Sequence, residues 1–116
     1  MRRVIVLSMG LVMMTVYAKQ TTTGKLRSPE HGVLCDQYIC ADSGGISVRL
    51  TARYIGERQA KNLEILGRAD LMAFTFDGGV FCDTREKLCR DDKYFGTDGK
   101  RGGKINSHFT EILFGK

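Results

Sequence analysis

The sequence predicts an α+β fold: a small antiparallel sheet of disulfide-stapled hairpins with short helices packed on it, made by internal duplication. Three observations predict it. Gly-Val-x-Cys-Asp, a short gap and Cys-x-Asp occur twice, at Gly32–Asp42 and again at Gly79–Asp91. Each cysteine segment alternates apolar and polar residues, as a half-buried strand does. Downstream of each, apolar residues recur four apart, the spacing of one helix face.

The chain opens "MRRVIVLSMGLVMMTVYAKQ". Arg2 and Arg3 precede an apolar run from Val4 to Val16, and Val16-Tyr17-Ala18 suits signal peptidase. Residues 1–18 are therefore expected to be a secretory signal cut before Lys19. The run is too short for a membrane span, which takes about 20 residues. Loss of Arg2 and Arg3 lowers the formal charge from +5 to +3. That balance is too mild to imply nucleic-acid binding. Residues 19–31, polar and holding the sole proline, Pro29, read as a flexible N-terminal arm. Residues 32–116 then form a single domain, with copies at 32–56 and 79–115, small enough to need covalent support.

In an exported chain, four cysteines point to disulfides. The local pairing of Cys35 with Cys40 and Cys82 with Cys89 is favoured. Each pair brackets a short turn, and residues flanking a hairpin loop lie at distances a disulfide accepts. Crossed pairings would close longer loops and stay open. A zinc site is the other use, although such sites keep reduced thiols at gaps of about two to four residues.

The match runs on past the cysteines. "ISVRLTARYIG" from Ile46 corresponds to "INSHFTEILFG" from Ile105, with isoleucine, threonine and glycine identical. Ile46, Leu50 and Tyr54, then Ile105, Phe109 and Leu113, are expected on one helix face. Ser47 and Asn106 suit N-caps, and Gly56 and Gly115 the left-handed C-terminal position. Between the copies, "ERQAKNLEILG" predicts a helix with Ala60, Leu63 and Leu66 inward, ended by Gly67. Leu71–Phe76 and Val80–Asp83 then read as a hairpin about a two-residue Asp77-Gly78 loop.

The stretches "GVLCDQYICADSGGIS", "LTARYIGERQA", "FTFDGGVFCDTREKLCRDDKYF" and the terminal "LFG" resemble the Fels-1 prophage protein-like family of YcgJ-like small exported proteins. The resemblance covers nearly all of the mature chain. It implies a small periplasmic protein of Gram-negative bacteria, and brings neither an activity nor catalytic residues.

Candidate site residues are few. His31 ends the arm and His108 aligns with Arg49, and neither belongs to a catalytic order or metal-ligand pattern. Asp36 and Asp83 follow the first cysteine of each copy, and Asp42 and Asp91 lie just past the second. Such carboxylates can serve acid–base or cation chemistry, but beside tight turns they usually accept backbone N–H bonds. "DDKYFGTDGK" lacks the ligand spacing of an EF-hand. The copies differ chiefly in length between Asp91 and Ile105, where "DKYFGTDGKRGGK" has only Ser43-Gly44-Gly45 as its counterpart. There Tyr94 and Phe95 stand beside a glycine-rich, flexible basic loop holding Lys100, Arg101 and Lys104. Aromatic and basic residues on a surface loop suit partner binding. The expected function is a non-catalytic binding or inhibitor-like module for an acidic or anionic envelope or secreted protein, without cofactor or metal. The alternative is a small hydrolase or ion-dependent enzyme using His31, His108 or the repeated aspartates.

Overall fold

The computed structural model describes residues 25–115; the expected signal segment and the start of the arm lie outside the described residues. The first copy supplies β1 (Leu34–Cys35), β2 (Cys40–Asp42), β3 (Gly45–Ile46) and α1 (Val48–Tyr54). Two connecting helices follow, α2 (Glu57–Leu63) and α3 (Arg68–Met72). The second half supplies β4 (Ala73–Thr75), β5 (Phe81–Asp83), β6 (Leu88–Arg90) and α4 (Ser107–Phe114). The α+β class holds, but the strands make two antiparallel three-stranded sheets, ordered β1-β2-β3 and β4-β5-β6.

The duplication is visible residue by residue. Cys35 lies opposite Cys40, and Cys82 opposite Cys89. Both pairs are disulfides, with Cα atoms 4.1 and 4.0 Å apart. The zinc alternative falls, because all four cysteines are consumed. Each unit continues with Ile46 opposite Ala41, or with the isolated bridge of Ile105 to Arg90.

Upstream, Phe74 of β4 lies opposite Cys82. The first copy has a counterpart in Arg27, which bridges Cys35 through two backbone hydrogen bonds of 2.9 and 2.8 Å. The repeat therefore reaches back into residues expected to be a flexible arm. Leu26 packs on the core, and the Arg27 guanidinium donates to the Asp36 and Tyr54 carbonyls. Over its described end, the arm is docked.

The main core is shared by both sheets. Leu34 and Ala41 come from the first sheet, Phe74, Cys82 and Cys89 from the second, Phe76 from just after β4, and Leu113 from α4. Helix α4 thus covers both sheets. A second cluster joins Val33, the Cys35–Cys40 disulfide and Leu50 of α1. Where the halves meet, Gly45 has φ +115°, and a Cβ there would lie 2.3 Å from the Leu71 carbonyl oxygen. Only glycine permits that approach.

Caps and turns follow the sequence in part. Ser47 and Asn106 cap α1 and α4 by accepting from the Leu50 and Phe109 amides, and Gly115 is left-handed at φ 74°. Gly56 instead adopts φ 154° and ψ 161° and precedes α2. It lies between Ile55, the C-cap of α1, and the first residue of α2, so it serves as the N-cap of the second helix rather than as a left-handed end to the first. Helix α2 buries Ala60 and Leu63 as expected, but ends there. Leu66 is exposed, and Gly67 begins α3 rather than ending α2. Ile46 and Ile105 precede the N-caps and pair as strand residues; Ile105 is 50% exposed. The β4–β5 loop has three residues, since the Phe76 amide donates to the Val80 carbonyl. Gly78 and Gly79 both take positive φ there, which absorbs the residue that a two-residue loop would lack. Leu71 and Met72 belong to α3, not to the strand.

Candidate functional site

The region where the copies diverge begins as a turn. In the first copy Asp42 lies opposite Gly45, so Ser43-Gly44 is a two-residue connection. In the second, the Asp91 amide donates to the Lys104 carbonyl at 2.8 Å. Residues 92–103 therefore occupy the place of Ser43-Gly44. They form a second, smaller hairpin. Gly102 N–H donates to the Tyr94 carbonyl and Gly96 N–H to the Lys100 carbonyl, at 2.9 and 2.7 Å, and Phe95 bridges Arg101. Asp92 and Asp98 side chains accept the Tyr94 and Lys100 amides, closing the base and the tip.

The loop expected to be flexible is thus internally paired. Its clamp is Arg101. That guanidinium carbon lies 4.3 Å from the centroids of both Phe81 and Phe95, while Nη1 donates to the Lys93 carbonyl at 2.6 Å. Phe81 is a buried β5 residue, so the stack fastens the hairpin to the sheet. Arg90 adds a second tie by donating to the Gly103 carbonyl at 2.9 Å. Of the residues expected to meet a partner, Lys100, Lys104, Tyr94 and Phe95 are exposed, the aromatics by 67% and 62%. Arg101 is half-buried and occupied. Sequence reading missed this role, although Asp98-Gly99 between Phe95 and Arg101 is a hairpin-turn pair.

Three of the four repeated aspartates accept backbone amides, and the fourth accepts a side chain. Asp36, 2% exposed, accepts from the Tyr38 and Ile39 amides on Oδ1 and from the Asp77 amide on Oδ2. Those bonds fix its own hairpin and tie it to the second, where Gln37 also reaches the Asp77 side chain. Asp83 accepts from the Arg85 amide, Asp42 from the Gly44 amide, and Asp91 from the Asn106 side chain. The polar residues that sequence reading passed over are Thr51 and Thr110. Both are buried, and their hydroxyls accept from the Cys40 and Cys89 amides. Threonine identity at matched positions of the repeat was the available signal.

The stapled double unit has relatives. Residues 26–114 match the family described as YcgJ protein. The chain belongs to the YcgJ family. It is 54% identical over 103 residues to "Uncharacterized protein YcgJ" of Escherichia coli (strain K12), spanning 89% of this chain and 84% of that relative. No solved structure matches.

In this YcgJ-family chain the residues of the enzyme alternative are carried on separate elements. His31 and His108 are both exposed, on the docked arm and on α4, with the His108 ring tilted against Phe109. The aspartates are divided among separate turns. Among the described residues, no three His, Cys, Asp or Glu side chains are grouped to hold a metal ion. No described helix is long and apolar enough to cross a membrane.

Proposed function

We propose that the mature protein is a non-catalytic, inhibitor-like binding module of the periplasm, acting on an acidic or anionic envelope or secreted protein. Export rests on the Arg2-Arg3 start, the apolar run and the Val16-Tyr17-Ala18 site. Two local disulfides suit an oxidising compartment. The resemblance of the double cysteine motif to the Fels-1 prophage protein-like group points to the same compartment.

One observation carries the binding reading. A preformed hairpin with Tyr94 and Phe95 exposed replaces what is a two-residue turn in the other copy. The repeat unit folds without such an addition, so the hairpin is free to serve a partner, and its ordering lowers the entropy lost on binding. The test is affinity capture from periplasmic extract with wild-type and Tyr94→Ala/Lys100→Ala baits. Neither substitution touches the Arg101 stack. A protein retained by the wild type and lost by the variant supports the reading, and equal retention of every captured protein contradicts it.

A further inference from the structure

Two depressions flank Arg85 on the face beside the hairpin. One, of about 220 Å³, is lined by Arg68, Ala69, Met72, Ala73 and Arg85. The other, of about 490 Å³, is lined by Asp83, Arg85, Glu86, Phe95 and Arg101. Arg85 belongs to both, so they form one surface across the β5–β6 turn. The smaller lies below the ~300–1,000 Å³ usual for small-molecule sites, and suits a single side chain of a larger partner.

Three arginines line this surface against two carboxylates, and both carboxylates are engaged. Glu86 pairs with Arg90 at 3.4 Å. Asp83 is buried, accepts the Arg85 amide and lies 3.9 Å from the Arg85 guanidinium. Among the described residues, Arg68 and Arg101 pair with no carboxylate, and the exposed Arg85 meets Asp83 through Nε alone, which leaves its two Nη groups to a partner. Asp70 lies two residues beyond Arg68 on α3, a spacing that faces away. Planar guanidinium groups bind carboxylates through paired hydrogen bonds. Beside them, Ala69, Met72 and Ala73 offer an apolar floor, and Phe95 an exposed ring.

We infer that this surface docks an extended acidic peptide segment with an apolar residue among its carboxylates. The apolar side chain enters the Ala69–Met72–Ala73 depression, neighbouring carboxylates meet Arg68 and Arg85, and the segment continues towards Phe95. The inference rests on the binding-module reading and adds the partner's chemistry, through Arg68 and Arg85, which lie outside the added hairpin.

The probe is a fluorescein-labelled peptide alternating glutamate with leucine, followed by fluorescence anisotropy. A matched peptide carries lysine in place of glutamate. The acidic peptide should bind more weakly as salt rises. Arg68→Glu/Arg85→Glu should weaken binding by about tenfold or more, the scale of one lost hydrogen bond to a charged group. Both side chains are exposed, so the fold should be kept. Equal binding of the lysine peptide, or an unchanged affinity in the double variant, overturns the inference. So does a captured partner that survives Arg68→Glu/Arg85→Glu but is lost with Tyr94→Ala/Lys100→Ala; that result leaves the binding-module reading standing.

Discussion

The backbone amide of Cys89 donates to the hydroxyl of Thr110 at 2.8 Å, across 21 residues of sequence. The same bond joins Cys40 to Thr51 at 3.0 Å. In each copy a helix threonine therefore satisfies the amide of a disulfide cysteine, and the residue before that helix, Ser47 or Asn106, donates to the same cysteine's carbonyl. Hydrogen bonds thus tie each staple to its helix at both the amide and the carbonyl of one cysteine.

Replacing Thr110 with valine keeps the shape but strands a buried amide, and should destabilise the protein by about 1–3 kcal/mol. Thr84 supplies the contrast, because its buried hydroxyl has no hydrogen-bond partner. Thr84→Val should be neutral or stabilising by about 1 kcal/mol. Urea unfolding of the two variants checks the opposite signs. A common sign would contradict the assignment.

Each disulfide closes a short loop, with sequence separations of 5 and 7 residues. Replacing either pair with alanine should cost about 2 kcal/mol on the chain-entropy account. All four cysteines are paired and fully buried, so the native protein should show no free thiol and a reducing agent should open the disulfides faster once the protein is unfolded. Peptide mapping without reduction should join Cys35 to Cys40 and Cys82 to Cys89. A cross-link between the copies would refute the paired-unit architecture.

The arm is held by Arg27 and by a hydrogen bond from the Tyr54 hydroxyl to Glu30. That bond, followed by slight desolvation and the Glu30 charge, raises the Tyr54 pKa above its ordinary value of about 10. A value raised on folding gives a contribution present in full below about pH 10 and lost as pH rises through Tyr54's own pKa. An NMR titration of the Tyr54 ring should therefore show late ionisation, moved down by Glu30→Gln. An unchanged titration would remove Glu30 as the cause.

Arg101 should behave as the hairpin's clamp. Arg101→Ala should speed amide exchange at Gly96 and Gly102, and lysine should restore little protection because it lacks the planar group that stacks between Phe81 and Phe95. Exchange unchanged in Arg101→Ala would show that backbone pairing suffices.

The parts legible in sequence were those with a local signature. The cysteine hairpins, the caps at Ser47 and Asn106 and the inward Leu50 and Leu113 each follow from spacing within a few residues. What escaped depends on distant partners. Arg27 reads as an arm residue because its strand partner, Cys35, lies beyond the Pro29-Glu30 bend and the His31-Gly32 turn. Arg101 reads as a free charge because one of its stacking rings, Phe81, is on β5. Leu66 fits a helical period that α2 stops short of using. Arg68 and Arg85 become one surface only when α3 meets the β5–β6 turn, an adjacency with no periodic trace.

The proposed function puts a binding hairpin in the second copy where the first copy has a two-residue turn. The direct measurement replaces residues 92–103 with Ser-Gly, copying Ser43-Gly44, and compares unfolding and partner capture with the wild type. Disulfides should stay intact and unfolding should remain cooperative within about 1–2 kcal/mol of the wild type, because surface loops tolerate changes of length. The captured partner should be lost. Partner retention at wild-type level in the shortened protein would contradict the claim.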